Sequence, residues 1–183
     1  VIVMAVGLLR RNLAMVRSGR TYAWLVLAGA VVCVIAMQRA LLTDDFTVEY
    51  VFNNSAVSTP TLWKVATMWA ALEGSILLWT LILGGFTALV AWRERTRIDD
   101  PLVGWTLLTM FVVCTFFFLL LAGPANPFAT VAVPEGYTGQ GPNPLLQNHV
   151  LMAVHPPVLY LGYVGFTVPF AYSVGALVTG RVG

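Results

Sequence analysis

The two histidines of the chain, His149 and His155, are the side chains best suited to bind a metal ion or haem iron. They lie six residues apart, which is not the spacing that places two ligands on one face of a helix. His155 precedes Pro156 and Pro157, which suit the first turn of a helix because the amide groups missing there would be unpaired anyway. The sequence therefore predicts His155 at the mouth of a helix. An iron ligand and an exposed residue that caps the helix are both open interpretations.

Glu73 is the acidic residue that stands inside an apolar run, within residues 69–79. An ionisable side chain at membrane depth is by default a candidate functional residue. Glu73 can accept a proton, pair with Arg39 or Lys64, or hydrogen-bond to Ser75. It can equally be a buried acid whose hydrogen bonds fix helix packing, and the sequence favours neither role.

The tryptophans and cysteines limit the possible functions of the chain further. Several tryptophans partly fit an interfacial aromatic belt, whereas Trp69 and Trp79 lie deeper in their apolar run. Cys33 and Cys114 stand 81 residues apart, so the chain has no CxxC redox pair, no zinc-binding spacing and no CxxCH haem-attachment motif. The chain is thus neither a thiol oxidoreductase nor itself a c-type cytochrome.

These residues must be positioned by membrane helices. Of the 183 residues, 58% are hydrophobic and 10% charged, and the mean hydropathy is +0.82. The net charge of +2 is too small for a nucleic-acid-binding surface. Because a helix needs about 20 apolar residues to cross the bilayer, we expect an all-helical polytopic bundle with four full spans. The spans are predicted at about 22–42, 65–92, 102–122 and 156–178.

The distribution of basic residues predicts the orientation of the bundle. Arginines cluster in residues 10–20 and 93–100, whereas residues 43–60 and 123–154 contain neither Lys nor Arg. Because positive charge is retained on the cytoplasmic side, we expect 43–60 and 123–154 to be outer segments that face the periplasm. The second outer segment is long enough to be functional, and its residues 144–152 favour a re-entrant or surface helix.

The domain organisation is predicted to be simple. Residues 1–9 are apolar but too short to span a bilayer, and we interpret them as a partial N-terminal helix. The chain shows no internal repeat, low-complexity tract or soluble domain. We therefore expect one membrane domain over 1–183.

The order of these motifs resembles that of a known family. The stretch NPLLQNHVLMAVHPPVLYLGYVGFTVPFAYSVGAL at 143–177 is similar to the CcmF family of cytochrome c-type biogenesis proteins, the membrane haem lyase subunits. The resemblance extends through DFTVEYVFNNS at 45–55, WAALEGSILLW at 69–79 and NPF at 126–128. It covers almost the whole chain and corresponds to the N-terminal part of the family.

The resemblance implies cytochrome c maturation at the bacterial inner membrane. In this family the HPP histidine, here His155, is an axial haem ligand, and the haem comes from a CcmE-like haem chaperone. Other maturation subunits, apocytochrome c and membrane lipid are the further implied partners. Haem is joined to the CxxCH thiols of the apocytochrome by thioether bonds. Asn143, Gln147, Pro156 and Pro157 are expected to shape the pocket, and catalytic residues stay unassigned.

Two departures from the family pattern limit what can be carried over. Family members commonly read Trp-Gly-x-His-Glu-Gly-Ser, whereas this chain has Leu72 at the position of that histidine. The chain also stops before the tryptophan-rich WWD segment and before the second outer histidine of the family. We therefore expect a fragment or split-gene product that holds half of a haem site and completes no turnover alone.

Two alternatives to the lyase interpretation stay open. One is a non-catalytic subunit that handles or exports haem as a scaffold. The other is an ion-coupled transporter centred on Glu73, although transporters usually break helices at the midplane and Pro169 is the only such interruption here.

Overall fold

The computed structural model describes residues 1–144 and 150–181, and within them the chain forms helices joined by short turns and two irregular segments. The helices are α1 (Ile2–Leu9), α2 (Leu13–Leu42), α3 (Glu49–Asn54), α4 (Thr61–Thr67), α5 (Leu72–Arg93), α6 (Pro101–Ala122), α7 (Leu151–Gly165) and α8 (Thr167–Thr179).

Four stretches are long and apolar enough to cross a membrane, namely Leu13–Leu42, Leu72–Arg93, Pro101–Ala122 and Ala153–Thr179. In the described residues, β-structure is limited to two isolated antiparallel bridges. The predicted all-helical membrane bundle is therefore confirmed, together with an additional short helix, α1, at the N-terminal end.

Two predicted helix boundaries are wrong on the N-terminal side of the chain. Helix α2 begins at Leu13 rather than near residue 22, because its charged first turns continue the helix beyond the apolar run that the prediction counted. The predicted helix 65–92 is two helices, since residues 68–71 form a turn between α4 and α5. Apolar composition alone does not reveal such a break. The predicted helix 102–122 agrees with α6.

The predicted helix 156–178 also differs from the structure at both its start and its middle. It begins at Leu151, so Pro156 and Pro157 lie inside α7 rather than in its first turn. It is interrupted at Phe166, between α7 and α8. Pro169 explains the interruption, because a proline lacks the amide and its ring collides with the carbonyl group four residues earlier, here that of Gly165.

The chain divides into two compact units, which are described separately. Unit 1 comprises Val1–Ala30, Thr80–Phe118 and Gly162–Gly183. Its apolar core includes Met4, Val103, Leu107 and Met110, all fully buried. Helices α6 and α8 approach closely at Gly175, where a Cβ atom would lie 2.8 Å from the Leu102 carbonyl oxygen.

Ion pairs surround the start of α6 in unit 1. The Asp100 carboxylate accepts hydrogen bonds from the Leu102 amide at 3.0 Å and from Arg181 at 2.8 Å. Arg17 donates two hydrogen bonds to Asp99, at 2.8 and 2.5 Å. The carboxylates therefore fix the ends of α2 and α8 beside the first turn of α6.

Unit 2 comprises Val31–Trp79 and Leu119–Leu161. Its segment 43–60, which includes α3, and its irregular segment 123–144 are joined by backbone hydrogen bonds. The Glu49 amide donates to the Ala129 carbonyl at 2.8 Å, and the Val57 amide donates to the Thr138 carbonyl at 2.9 Å. Gly139 has a φ of +92°, and a Cβ there would collide with the backbone of Ser55 and Ala56. A glycine is thus required for this close approach.

Side chains strengthen the pairing in unit 2. The Tyr137 hydroxyl donates to the Phe52 carbonyl at 2.7 Å, and the Tyr137 ring stacks on the Phe52 ring with centroids 4.1 Å apart. Lys64 on α4 binds both carboxylate oxygens of Asp44 at 2.6 Å, and its side chain is only 9% exposed. The described parts of the two segments predicted to face outwards are thus joined by hydrogen bonds and by ring stacking.

Candidate functional site

The backbone of the turn between α4 and α5 in unit 2 is hydrogen-bonded to a buried tyrosine. The Tyr50 hydroxyl lies 2.8 Å from the Thr67 carbonyl oxygen and 3.0 Å from that of Met68, and it accepts the Ala71 amide at 3.3 Å. These groups lack the partners that a continuous helix would supply. Burial raises the pKa of Tyr50 well above its usual range, and the nearby Glu73 carboxylate raises it further, so the hydroxyl stays neutral.

Gly74 and Ser75 complete this turn from the first turns of α5. A Cβ atom on Gly74 would collide with the Met68 carbonyl oxygen and with the Tyr50 hydroxyl. The Ser75 hydroxyl donates to the Trp69 carbonyl at 3.0 Å. Gly74 and Ser75 therefore both contribute to the structure of the α4–α5 turn.

Helix α7 joins this turn through Tyr160. The Tyr160 hydroxyl donates to Ser75 Oγ at 3.2 Å, and the Tyr160 ring meets the Trp79 ring edge-on at 5.9 Å. Trp69 is half-buried, and its indole N–H has no hydrogen-bond partner among the residues that the structure describes. Tyr160 thus links the helix that carries His155 to the start of α5.

Glu73 lies in the first turn of α5 and not in mid-helix, where the positive end of the helix dipole favours a carboxylate. It lines a polar cavity of about 280 Å³ together with Glu49, Tyr50, Asn53 and Asn126. Within the described part of the chain, Glu73 makes no hydrogen bond or ion pair. Lys64, a partner considered for it, is bound to Asp44.

His155 lies in the second turn of α7 and is exposed. The prediction that it precedes the helix is wrong, because α7 begins four residues earlier, at Leu151. Among the residues that the structure describes, 1–144 and 150–181, the His155 imidazole has no hydrogen-bond partner. An exposed imidazole fits an axial haem ligand.

The remaining predicted residues are spread around this unit. Pro156 and Pro157 follow His155 directly inside α7, and Asn143 is exposed at the end of the second irregular segment. Gln147 and His149, and with them most of the helix predicted over 144–152, lie outside the described residues. Among the residues that are described, no group of three or more His, Cys, Asp or Glu side chains could hold a metal ion.

The structure therefore places Trp69 in the α4–α5 turn, Glu73 in the first turn of α5 and Trp79 further along α5, whereas His155 lies on α7. The sequence interpretation missed Tyr50 and Tyr160, the two hydroxyl groups that organise the turn. A signal was available for Tyr160, which lies five residues after His155 in the same motif. For Tyr50 no local pattern indicates a partner near residue 68.

Comparisons with known proteins show which family the chain matches. Residues 69–182, which include Glu73, His155 and Tyr160, match the family model described as cytochrome C assembly protein. The cytochrome c-type biogenesis protein CcmF of Escherichia coli strain K12 is 38% identical over 176 residues, which cover 96% of this chain and 27% of the relative. CcmF of Pseudomonas aeruginosa is 43% identical over 143 residues, covering 78% of this chain and 22% of the relative.

A solved structure titled cytochrome c heme lyase CcmF is also similar. It has a TM-score of 0.83 and 35% sequence identity, and the match covers 98% of this chain and 27% of that structure. The chain thus spans about a quarter of the length of the relatives it matches.

Proposed function

The chain belongs to the cytochrome c assembly protein family, and we propose that it serves cytochrome c maturation as part of a membrane haem lyase. In this role it accepts haem as a substrate and helps to attach it to the CxxCH thiols of apocytochrome c. The observation that carries the proposal is the exposed imidazole of His155 at the start of an apolar span, within the region matched to the family.

His155 is the proposed axial ligand of the haem iron, and it is the only iron ligand that we assign. Its side chain is exposed, and the two residues that follow it in the helix are prolines. Because each proline fixes its own φ and restricts the residue before it, the imidazole is presented from a stiff segment. The second ligand is proposed to come from the remaining part of a CcmF-like protein.

The pocket around the haem is proposed to be shaped by Asn143, Gln147, Pro156 and Pro157. The side-chain amides of Asn143 and Gln147 are proposed to hold the loop by hydrogen bonds or to meet the haem propionates. Thioether formation needs haem vinyl groups and two thiols held close together, and proximity alone supplies much of the rate. No catalytic side chain is assigned, and no role in nucleic-acid binding is proposed.

The proposed location is the bacterial inner membrane, with 43–60 and 123–154 in the periplasm. Unit 2, which contains both segments, has five acidic residues against two basic ones, whereas unit 1 has eight arginines against three acids. Positive charge is retained on the cytoplasmic side. The proposed partners, a CcmE-like haem chaperone, apocytochrome c and other maturation subunits, would meet unit 2 from the periplasm.

A maturation assay tests the proposal. The chain is supplied with the remaining part of a CcmF relative in cells that lack their own, and haem-stained cytochrome c is measured for His155→Ala and Glu73→Gln. The lyase role predicts that His155→Ala abolishes maturation. Haem retained without maturation in the unmodified protein would favour a scaffold instead. Loss in Glu73→Gln with little effect of His155→Ala would favour an ion-coupled transporter.

A further inference from the structure

A second cavity, in unit 1, has a lining unlike that of the polar cavity near Glu73. It has a volume of about 470 Å³ and lies where the α1–α2 turn meets the start of α6. Most of its lining is apolar, and Arg11 and Asp99 are its charged residues. The apolar lining includes Leu8, Leu13, Val16, Pro101 and Trp105. Such a lining fits a hydrocarbon chain beside a charged group.

Arg11 at this cavity has no acidic partner among the residues that the structure describes. Asp99 is already bound by Arg17, which donates to both of its carboxylate oxygens. Arg11 is exposed, and no acidic side chain of the described residues pairs with it. The other two acids of unit 1 are engaged as well, Asp100 by Arg97 and Arg181 and Glu94 by Arg97. The cavity therefore presents one uncompensated positive charge.

We propose that this cavity binds an anionic phospholipid, with the phosphate on Arg11 and an acyl chain against Leu13, Val16 and Trp105. The excess of arginine in unit 1 attracts anionic lipid to this end of the chain, as basic pockets between membrane helices do. Trp105, half-buried at the cavity, is the kind of amphipathic ring found at headgroup level. The proposal is independent of haem binding, because it involves only unit 1.

Lipid binding is measured on the purified chain by native mass spectrometry after titration with phosphatidylglycerol or phosphatidylcholine in a neutral detergent. Three variants are compared with the unmodified chain. Arg11→Gln removes the proposed phosphate contact. Arg10→Gln is the matched control, since Arg10 is also exposed and carries the same charge but does not line the cavity. Leu13→Trp fills the cavity from a residue that is 48% exposed, so that folding is little affected.

The expected result is tighter binding of phosphatidylglycerol than of phosphatidylcholine, weakened at least fivefold by Arg11→Gln and unchanged by Arg10→Gln. Leu13→Trp should reduce the binding of both lipids. Equal losses in the two arginine variants would overturn the proposal, because they would indicate diffuse attraction to the basic end. Displacement of the lipid when the remaining part of a CcmF relative is added would also overturn it, since a protein segment would then occupy the cavity.

Discussion

Among single residues, Lys64 and Asp44 form a largely buried ion pair in unit 2. Both side chains are mostly withdrawn from water, with 9% and 21% exposed, and their two contacts measure 2.6 Å. Replacing one partner of a buried pair leaves an uncompensated charge, which costs about 3–5 kcal/mol. We expect Asp44→Asn to lower the free energy of unfolding by about 3 kcal/mol, measured by denaturant titration in detergent.

The asparagine variant isolates the charge, because Asn tolerates the left-handed backbone of Asp44, whose φ is 53°. The double variant Asp44→Asn with Lys64→Met should recover most of the loss, since no charge is then buried without a partner. Asp45→Ala is a control at the neighbouring, exposed carboxylate. A loss in Asp44→Asn no larger than in Asp45→Ala would contradict the importance of the buried pair.

Asp100 is expected to make the stability of the fold depend on pH. Burial by itself raises the pKa of Asp100, but hydrogen bonds from Arg181, the Leu102 amide and Arg97 outweigh burial and hold the pKa below its ordinary value. A lowered pKa stabilises the fold fully above the unfolded value of about 3.9 and less as pH falls below it. The thermal midpoint in detergent should therefore drop between pH 5 and pH 3.

Asp100→Asn should flatten this pH dependence while the asparagine still caps α6, because Asn is as good an N-cap as Asp. Asp99 contributes in the same direction, since the hydrogen bond from Arg17 lowers the pKa of its carboxyl. An unchanged pH profile in Asp100→Asn would mean that other carboxylates govern the transition.

At this scale the sequence singled out Glu73 as an acid inside an apolar run and His155 as one of two histidines, directly before two prolines. It did not identify their surroundings. A pairing of Glu73 with Arg39 or Lys64 was one of several roles left open by the sequence, and the structure places Glu73 in the lining of a cavity with Glu49. Partners separated by more than 20 residues depend on tertiary packing, which a local pattern does not contain.

At the scale of elements, the α4–α5 turn depends on Gly74. A Cβ at this position would collide with the Met68 carbonyl oxygen and the Tyr50 ring, whereas a Cβ on Gly85 in the same helix meets nothing within 4 Å. Overpacking of this kind costs about 1–3 kcal/mol. We expect Gly74→Ala to lower the thermal midpoint clearly and Gly85→Ala to leave it unchanged or slightly raised. Equal midpoints for the two variants would argue against a tightly closed turn.

Tyr160 is expected to fix the rotation of α7 and thereby the direction of the His155 imidazole. This prediction depends on the proposed haem site. Tyr160→Phe removes the hydrogen bond to Ser75 and keeps the ring next to Trp79. Haem bound to the reassembled protein should then show an altered ligand-to-iron band and dissociate several-fold faster. Tyr163→Phe, at an exposed tyrosine on the same helix, is the control. Identical spectra for both variants would remove Tyr160 from this role.

Helix existence was more predictable than helix boundaries. The helix 102–122 was located to within a residue, because an apolar run with Asp100 and Pro101 at its start carries its own N-terminal signal. The break at 68–71 was missed because it is stabilised by the hydroxyl of Tyr50, about 20 residues away in sequence. The break at Phe166 has a local cause in Pro169, which the sequence had already indicated as a midplane interruption, although the helix was predicted as continuous over 156–178.

At the scale of the whole molecule, the two units differ in charge. Eight of the ten basic residues belong to unit 1, and five of the eight acidic residues belong to unit 2. The sequence predicted this separation, since the count of Lys and Arg in loops needs no tertiary information. It predicted half of the proposed haem site, because His155 is the one imidazole ligand that the motif supplies.

The central claim is that His155 binds haem iron in a site completed by the rest of a CcmF-like protein. The most direct measurement is the absorption spectrum of the chain purified together with the remaining part of a CcmF relative. We compare His155→Ala with His149→Ala, a matched loss of one imidazole nearby in sequence. The account predicts a Soret band that disappears in His155→Ala, returns when free imidazole is added, and persists in His149→Ala. A Soret band of equal intensity in His155→Ala would contradict it.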